Sequence, residues 1–237
     1  MFMRPIAIFR FSRTEGPAYF AEWLDAHGLA WQLVPLDEDA PVPADPRPFA
    51  GIGMMGGPMS VNDDLGWIAP IGALLRAAVD ARVPVIGHCL GGQLLAQSLG
   101  ASVTRADIPE IGWQTVEACD DAAKRDWFGG REAFTTFQWH YDAFELPPGS
   151  TRVLTNAYNV NQAYVVDDRH VGFQCHVEMT RQLAETWLAT GADELPARSA
   201  GAMQSAADME RDLDLRIASL HEIAGDIYAR WSKGLLR

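Results

Sequence analysis

The 237-residue sequence lacks a run of about 18 consecutive apolar residues, so we expect no membrane-spanning helix. The N-terminal segment MFMRPIAIFRF goes directly into an alternating apolar pattern and has no small-residue cleavage site, so we expect no signal peptide. Basic residues are scarce: 19 lysines and arginines face 31 aspartates and glutamates, which gives a formal net charge of −12. That balance argues against DNA or RNA as a partner and is otherwise explained by plain solubility.

Cysteine is also rare, since only Cys89, Cys119 and Cys175 occur. Their spacing fits neither a zinc site nor a disulfide framework. The methionines between positions 54 and 59 are better explained as core and loop packing than as metal ligands. The sequence therefore predicts no metal site and no bound cofactor.

One of these cysteines stands in an unusual context. Residues 83–101, VPVIGHCLGGQLLAQSLGA, predict a short buried strand, then Cys89, then a helix, with glycines on both sides of the cysteine. A G-x-C-x-G pattern at a strand-to-helix turn predicts a nucleophile elbow that carries sulfur, and the small residues leave room for a tight backbone. The helix N-terminus favours a thiolate there, so Cys89 is the candidate nucleophile.

A second segment supplies the groups that such a cysteine needs. Residues 170–178, HVGFQCHVE, predict a strand that ends in His176 and Glu178. Residues two apart on an extended chain point the same way, whereas Cys175 points to the other face. We therefore expect the His176 imidazole to act as the base and the Glu178 carboxylate to orient it.

GHCLGGQ followed by QCHVE resembles the class I glutamine amidotransferases, the glutaminases with a Cys-His-Glu triad, whose usual patterns are close to G-x-C-x-G-x-Q and Q-x-H-P-E. GIGMMGGPMSV (51–61) resembles the glycine-rich oxyanion strand of that family. EIGW (110–113) and WHYDAFELPPG (139–149) resemble segments of the branch similar to the glutaminase domain of GMP synthase. The resemblance covers roughly residues 4–185, and Val177 departs from it by standing where the family usually has proline.

The elbow also predicts where an oxyanion would bind. The backbone N–H of Leu90, directly after the nucleophile, is one expected donor. Gly57, in the GGPMS turn after the third strand, is the other, because Pro58 has no N–H to donate.

The resemblance implies two substrate-binding residues. Gln93 lies one turn after Cys89 and is expected to contact substrate glutamine, the alternative being a structural hydrogen bond. His140 lies in a W-H-x-D segment that resembles a substrate-side loop. Of the other histidines, we expect His88 to be structural, and we expect His27 and His170 to lie on the surface.

The order of elements predicts the fold class. Strands alternate with helices in the first half, which predicts a parallel sheet covered on both faces. The second half is richer in strands, around 113–118, 134–137, 151–155, 160–166 and 170–175, which predicts an antiparallel extension. We expect an α/β, flavodoxin-like, mostly parallel mixed sheet flanked by helices, with the site at the carboxyl ends of the parallel strands.

The C-terminal part looks separate from that core. We predict an amidotransferase-like domain over 1–190 and a helical extension over 191–237, which packs on the domain or on another protomer. Within it, 200–237 predicts one long or broken helix with an apolar stripe formed by Met203, Leu213, Ile217, Leu220, Ile223 and Ile227.

These features predict a cysteine hydrolase that cleaves the γ-amide of glutamine or a γ-glutamyl compound through a Cys89 thioester. Family members usually feed ammonia to a synthase, so an ammonia-accepting synthase partner, a stand-alone γ-glutamyl peptidase and a homo-oligomer all stay open. One alternative from another class is a non-catalytic binding or regulatory member. Another is a different use of the elbow fold, as a cysteine peptidase or a chaperone-like hydrolase. A catalytic thiol needs a reducing compartment, so we expect a cytoplasmic protein with a small-molecule substrate.

Overall fold

Apolar segments of the first half form parallel strands separated by helices. The computed structural model describes residues 4–236. The helix Ile68–Asp80 turns its apolar side chains inward, as its spacing predicts, and Gly28 ends the helix Ala18–Ala26 in the left-handed region at φ 65°. The elements of this half are β1 (Ile6–Arg10), α1 (Ala18–Ala26), β2 (Trp31–Pro35), β3 (Gly51–Met54), α2 (Ile68–Asp80), β4 (Val85–His88) and α3 (Leu90–Ser98).

The second half completes the same sheet. Its elements are β5 (Val103–Ala118), α4 (Asp121–Trp127), β6 (Ala133–Phe144), β7 (Thr151–Thr155), β8 (Ala163–Val166) and β9 (His170–Phe173). The strand order is β2-β1-β3-β4-β9-β8-β7-β5-β6; the first five strands pair in parallel and the rest in antiparallel fashion. The mixed sheet with flanking helices confirms the predicted fold class.

Two local predictions were wrong, and one short helix was missed. The 139–149 segment is not a loop at its start, because Trp139 and His140 belong to β6, which pairs along β5. The seven-residue helix α4, capped by the Asp120 carboxylate accepting from the Ala123 N–H at 2.7 Å, was missed because it is too short to show a period. β9 ends at Phe173, so the catalytic candidates at 176 and 178 lie beyond the strand.

The C-terminal part is a broken helix rather than one long one. After α5 (Arg181–Thr190) and a 3₁₀ turn (Ala192–Glu194) come α6 (Ala206–Glu210) and α7 (Leu213–Ser232). The predicted stripe from Leu213 to Ile227 is buried, and α7 packs against α1, α4, α5 and β6. The division at residue 190 stays a prediction. None of the helices within residues 4–236 is long and apolar enough to cross a membrane.

Candidate active site

Cys89 occupies a strained turn between β4 and α3. Its backbone has φ 48° and ψ −107°, a conformation that costs a non-glycine residue roughly 1–3 kcal/mol and persists only when its surroundings enforce it. The surroundings do so through the backbone: the Cys89 N–H donates to the Phe173 carbonyl at 2.9 Å, and the Gln93 N–H donates to the Cys89 carbonyl at 2.9 Å. The turn therefore fixes the cysteine against the end of β9.

The glycines around Cys89 are required by close packing of the backbone. A Cβ at Gly87 would lie 2.5 Å from the Gly91 carbonyl, and one at Gly91 would lie 2.4 Å from the Met54 carbonyl oxygen. Both distances are shorter than real Cβ contacts, and the blocking atoms are backbone. The G-x-C-x-G pattern thus reflects the approach of α3 to β3 and β4.

His176 and Glu178 form a buried pair beside Cys89. The His176 Nδ1 lies 2.7 Å from the Glu178 Oε1, and both residues are only 1% exposed. An isolated bridge to β6, in which the His176 N–H donates to the Phe137 carbonyl at 2.8 Å, holds His176 in place, whereas the chain bends on both sides of it and does not continue as the predicted strand.

Neighbouring charges outweigh burial in setting the pKa values of His176 and Glu178. Burial acts to lower the pKa of His176, but the Glu178 carboxylate and the Cys89 side chain raise that pKa well above its usual value. Burial likewise acts to raise the pKa of Glu178, and His176 outweighs it, so that pKa is lowered. The pair therefore favours an imidazolium at His176 next to a carboxylate at Glu178.

The residues that carry the two predicted oxyanion donors, Gly57 and Leu90, are neighbours in the structure. Gly57 and Cys89 line the same pocket, and a Cβ at Gly57 would lie 2.6 Å from the Leu90 side chain. Leu90 is the first residue of α3, where a helix leaves its N–H groups without an acceptor in the helix. Among the hydrogen bonds of the described residues, neither the Gly57 nor the Leu90 N–H has an acceptor.

Two glutamine side chains, Gln93 and Gln174, form a hydrogen-bonded pair next to Cys89. Gln93 lines the pocket, but its amide nitrogen is already bound, donating to the Asp142 carbonyl at 3.0 Å and to the Gln174 Oε1 at 3.2 Å. Gln174 in turn directs its Nε2 at the Cys89 Sγ, 3.7 Å away. Sequence reasoning missed Gln174 as a site residue, although the Q-x-H pattern that contains it was the available signal.

His140 borders the pocket with both ring nitrogens already bound by the protein. Its Nδ1 lies 3.1 Å from the Asp142 carbonyl, and its Nε2 lies 3.1 Å from the buried Glu110 carboxylate. Glu110 also accepts from Gln162 Nε2 at 2.7 Å. His140 thus belongs to a buried polar network under the pocket, and ligand contact by its ring stays a prediction.

The remaining histidines divide between the core and the surface. His27 is exposed, as expected. His170 was wrongly predicted to lie on the surface: β9 is an inner strand of the sheet, so the ring is buried, and burial lowers its pKa to about 4. His88 is buried and contacts α7, with its Nε2 lying 3.3 Å from the Tyr228 hydroxyl.

The pocket above Cys89 has a volume of about 390 Å³, within the range of small-molecule sites. Glu15, from the loop after β1, reaches in beside Gly56 and His176. Burial raises the pKa of Glu15 to about 7; His176 opposes the rise and Glu178 adds to it. The sequence did not identify Glu15, because no motif in this loop indicates that Glu15 lies close to His176.

A cysteine at a strand–turn–helix elbow, next to a buried His–Glu pair at the carboxyl end of a flavodoxin-like parallel sheet, defines a class of α/β domains with triad-type geometry. Within that class, the family described as glutamine amidotransferase class-I matches residues 21–192. The chain belongs to this family, which confirms the resemblance read from its motifs.

Three relatives place the chain within the family. The crystal structure of a glutamine amidotransferase from Methylobacillus flagellatus has a TM-score of 0.96 and 44% identity, covering 100% of this chain and 97% of that one. A subunit of the glutamine-hydrolysing GMP synthase of Sulfolobus acidocaldarius is 32% identical over 158 residues, 65% of this chain and 80% of the relative. The glutamine-hydrolysing GMP synthase of Aeropyrum pernix is 33% identical over 168 residues, 68% of this chain but only 31% of the relative's length.

Proposed function

We propose that this protein hydrolyses the γ-amide of glutamine or of a γ-glutamyl compound through a thioester on Cys89. The observation that carries the proposal is the buried His176–Glu178 pair beside a cysteine held in a strained turn. The names of two relatives, a glutamine-hydrolysing GMP synthase and a subunit of another, support glutamine as the substrate class.

The proposed reaction has two halves. The Cys89 thiolate attacks the γ-carbonyl carbon and forms a tetrahedral oxyanion, which accepts hydrogen bonds from the Gly57 and Leu90 N–H groups. As the C–N bond breaks, protonated His176 gives its proton to the departing amine or ammonia. Neutral His176 then takes a proton from water, whose oxygen attacks the thioester and releases glutamate and the thiolate.

Glu178 keeps its charge throughout this cycle. Its lowered pKa favours the carboxylate. The 2.7 Å contact between Glu178 and the His176 Nδ1 holds the imidazole, which leaves the His176 Nε2 free to exchange a proton with the sulfur and the amine. Glu178 is therefore a positioning residue, whereas Cys89 and His176 touch the reacting atoms.

The glutamyl head carries an α-ammonium and an α-carboxylate, both of which need polar partners when they leave water. Glu15 and Asp142 line the pocket and bring negative charge for the ammonium. Gln93 contributes its side-chain carbonyl oxygen as an acceptor for the ammonium, because its amide nitrogen already donates to the protein.

The fate of the nitrogen divides two versions of this proposal. In one, a synthase partner accepts the ammonia, as the GMP synthase names of the relatives suggest. In the other, the protein acts alone as a γ-glutamyl peptidase, which the volume of the pocket favours. Either version requires a reduced Cys89, and we propose a cytoplasmic setting for that reason.

The test is labelling with 6-diazo-5-oxo-norleucine, a glutamine-like electrophile, followed by peptide mass spectrometry. We expect one adduct, on Cys89, and its loss when glutamine competes. Cys119 is an internal control because it is exposed and should react only with a non-selective alkylating agent. Labelling of Cys119 rather than Cys89, or no protection by glutamine, would argue against the proposal.

A further inference from the structure

An aromatic wall begins at His176 and runs outward along the pocket. The Trp187 ring meets the His176 ring edge-on with centroids 4.6 Å apart, and the Trp139 ring follows at 6.1 Å from Trp187. Tyr141 continues the wall two residues further along β6. The wall therefore runs from His176, the proposed acid–base residue, to Tyr141 on β6.

A single carboxylate holds the outer part of this wall in place. The Trp139 Nε1–H and the Tyr141 hydroxyl both donate to Glu194 Oε2, at 3.1 and 2.8 Å. Gly191 allows the Trp139 ring to pack closely, since a Cβ there would lie 2.4 Å from that ring. The aromatic side chains are thus fixed before any ligand arrives, which lowers the entropic cost of binding against them.

Arg105 stands at the end of the wall. Its guanidinium carbon lies 4.4 Å from the centroid of the Tyr141 ring. Among the described residues that line the pocket it is the one arginine or lysine, whereas Glu15, Asp142 and Glu194 are acidic. Arg105 is exposed and forms no ion pair within residues 4–236, so its hydrogen-bond donors are available to a ligand.

The direction of the wall identifies the part of the substrate that it faces. His176 must lie next to the departing nitrogen, because it gives that nitrogen its proton. The surface that starts at His176 and lines the same pocket as Cys89 therefore borders the space that the leaving group occupies. Ammonia needs no such surface, whereas an amine with its own side chain and carboxylate would cover it.

We infer that the wall formed by Trp187, Trp139 and Tyr141, with Arg105 at its end, is a subsite for a leaving group that carries a carboxylate. This inference rests on the proposed function and sharpens it: the substrate class is a γ-glutamyl amino acid or short γ-glutamyl peptide. The γ-glutamyl carbon passes to the Cys89 sulfur as its C–N bond breaks, His176 protonates the freed amine, and Arg105 binds the carboxylate of that amine through its planar fork of donors.

The test compares three substrates: glutamine, γ-glutamylglycine and γ-glutamylglycinamide, which has a neutral amide in place of the terminal carboxylate. For the wild-type protein we expect kcat/KM for γ-glutamylglycine to exceed that for its amide by about tenfold, the size of one charge-assisted contact. Arg105→Gln should abolish this preference, and Arg105→Lys should retain part of it because the charge remains.

Arg76→Gln is the matched control. Arg76 is an exposed arginine on α2 that does not line the pocket, so its loss should leave the preference for the carboxylate unchanged. Thermal melting of each variant verifies that the fold is retained, which is expected because Arg105 is exposed.

Two failures can be told apart. If the wild-type protein cleaves glutamine but shows no preference for the terminal carboxylate, the subsite is wrong while the proposed function stands. The same holds if Arg105→Gln slows all three substrates equally, since Arg105 would then serve the shared glutamyl head. If none of the three substrates is cleaved, the proposed function fails and the subsite fails with it.

Discussion

The two halves of the sheet contribute differently to the pocket. The parallel half places Cys89 at the end of β4, and backbone contacts such as Cys89 N–H to Phe173 carbonyl hold it there. The antiparallel half contributes side chains from β5 and β6, among them Arg105 and Tyr141. β6 is an edge strand, whereas β4 lies inside the sheet.

The proposed bond cleavage therefore belongs to the parallel half, and the proposed recognition of the leaving group belongs to the antiparallel half. Around Cys89 even one added methyl group would collide with backbone, so the nucleophile has little freedom to move. Arg105, in contrast, is exposed and rests on the Tyr141 ring, so we expect substitutions there to be tolerated. Changes in the parallel half should therefore abolish turnover, and changes in the antiparallel half should alter substrate preference.

The largest effect is expected for Cys89→Ala. Alanine fits the same tight turn, so the circular dichroism spectrum should not change, while removal of the nucleophile should reduce turnover by at least about 10³-fold. Cys119→Ala is the control, because that exposed cysteine lies outside the pocket. A Cys89→Ala variant that keeps more than a few per cent of wild-type activity would rule out the thioester.

His176→Ala should be nearly as damaging, and Glu178→Gln less so. In the proposed mechanism Cys89 and His176 act as one unit, so the loss of either should remove the same steps, whereas replacing the orienting carboxylate should leave partial function. Steady-state kinetics of both variants under one assay decide the point. A larger loss for Glu178→Gln than for His176→Ala would mean that the two roles are assigned incorrectly.

Helix α7 packs against elements of both halves, α1 on one side and β6 on the other. Leu220 is fully buried on α7, so Leu220→Ala should lower the free energy of unfolding by about 2–5 kcal/mol. Leu215 on the same helix is 72% exposed, and Leu215→Ala should change the stability by less than about 0.5 kcal/mol. Chemical denaturation measures both, and equal effects would mean that α7 does not pack as described.

The smallest effect is expected for Glu15→Gln. The pKa of Glu15 is about 7, so its carboxylate form, which can bind the substrate ammonium, becomes dominant as the pH rises through that value. The wild-type kcat/KM for glutamine should gain up to about fivefold from this ionisation, which corresponds to an ion pair worth about 1 kcal/mol. The variant should lose that step, while the exposed control Glu22→Gln should keep it. If Glu15→Gln had the same pH profile as the wild-type protein, Glu15 would not bind the ammonium of the glutamyl head.

The sequence was most predictive where the backbone is most constrained. The glycines beside Cys89 and the His-x-Glu spacing indicated the residues that the structure brings together, because a tight turn and a pair of residues two apart leave a local pattern in the sequence. His170 and the length of β5 were missed, since burial on an inner strand and pairing across a bulge near Glu110 depend on distant partners. Glu15 and Arg105 were missed for the same reason: they converge on the pocket only after folding.

The most direct test of the central claim is cleavage of two isomers, a γ-glutamyl dipeptide and the corresponding α-glutamyl dipeptide, at equal concentration. Amine release is measured for the wild-type protein, with Cys89→Ala as the blank. We predict release from the γ-linked isomer and none from the α-linked one, because the pocket is proposed to bind a free α-ammonium and α-carboxylate. Preferred cleavage of the α-linked isomer would contradict the account and indicate a general cysteine peptidase.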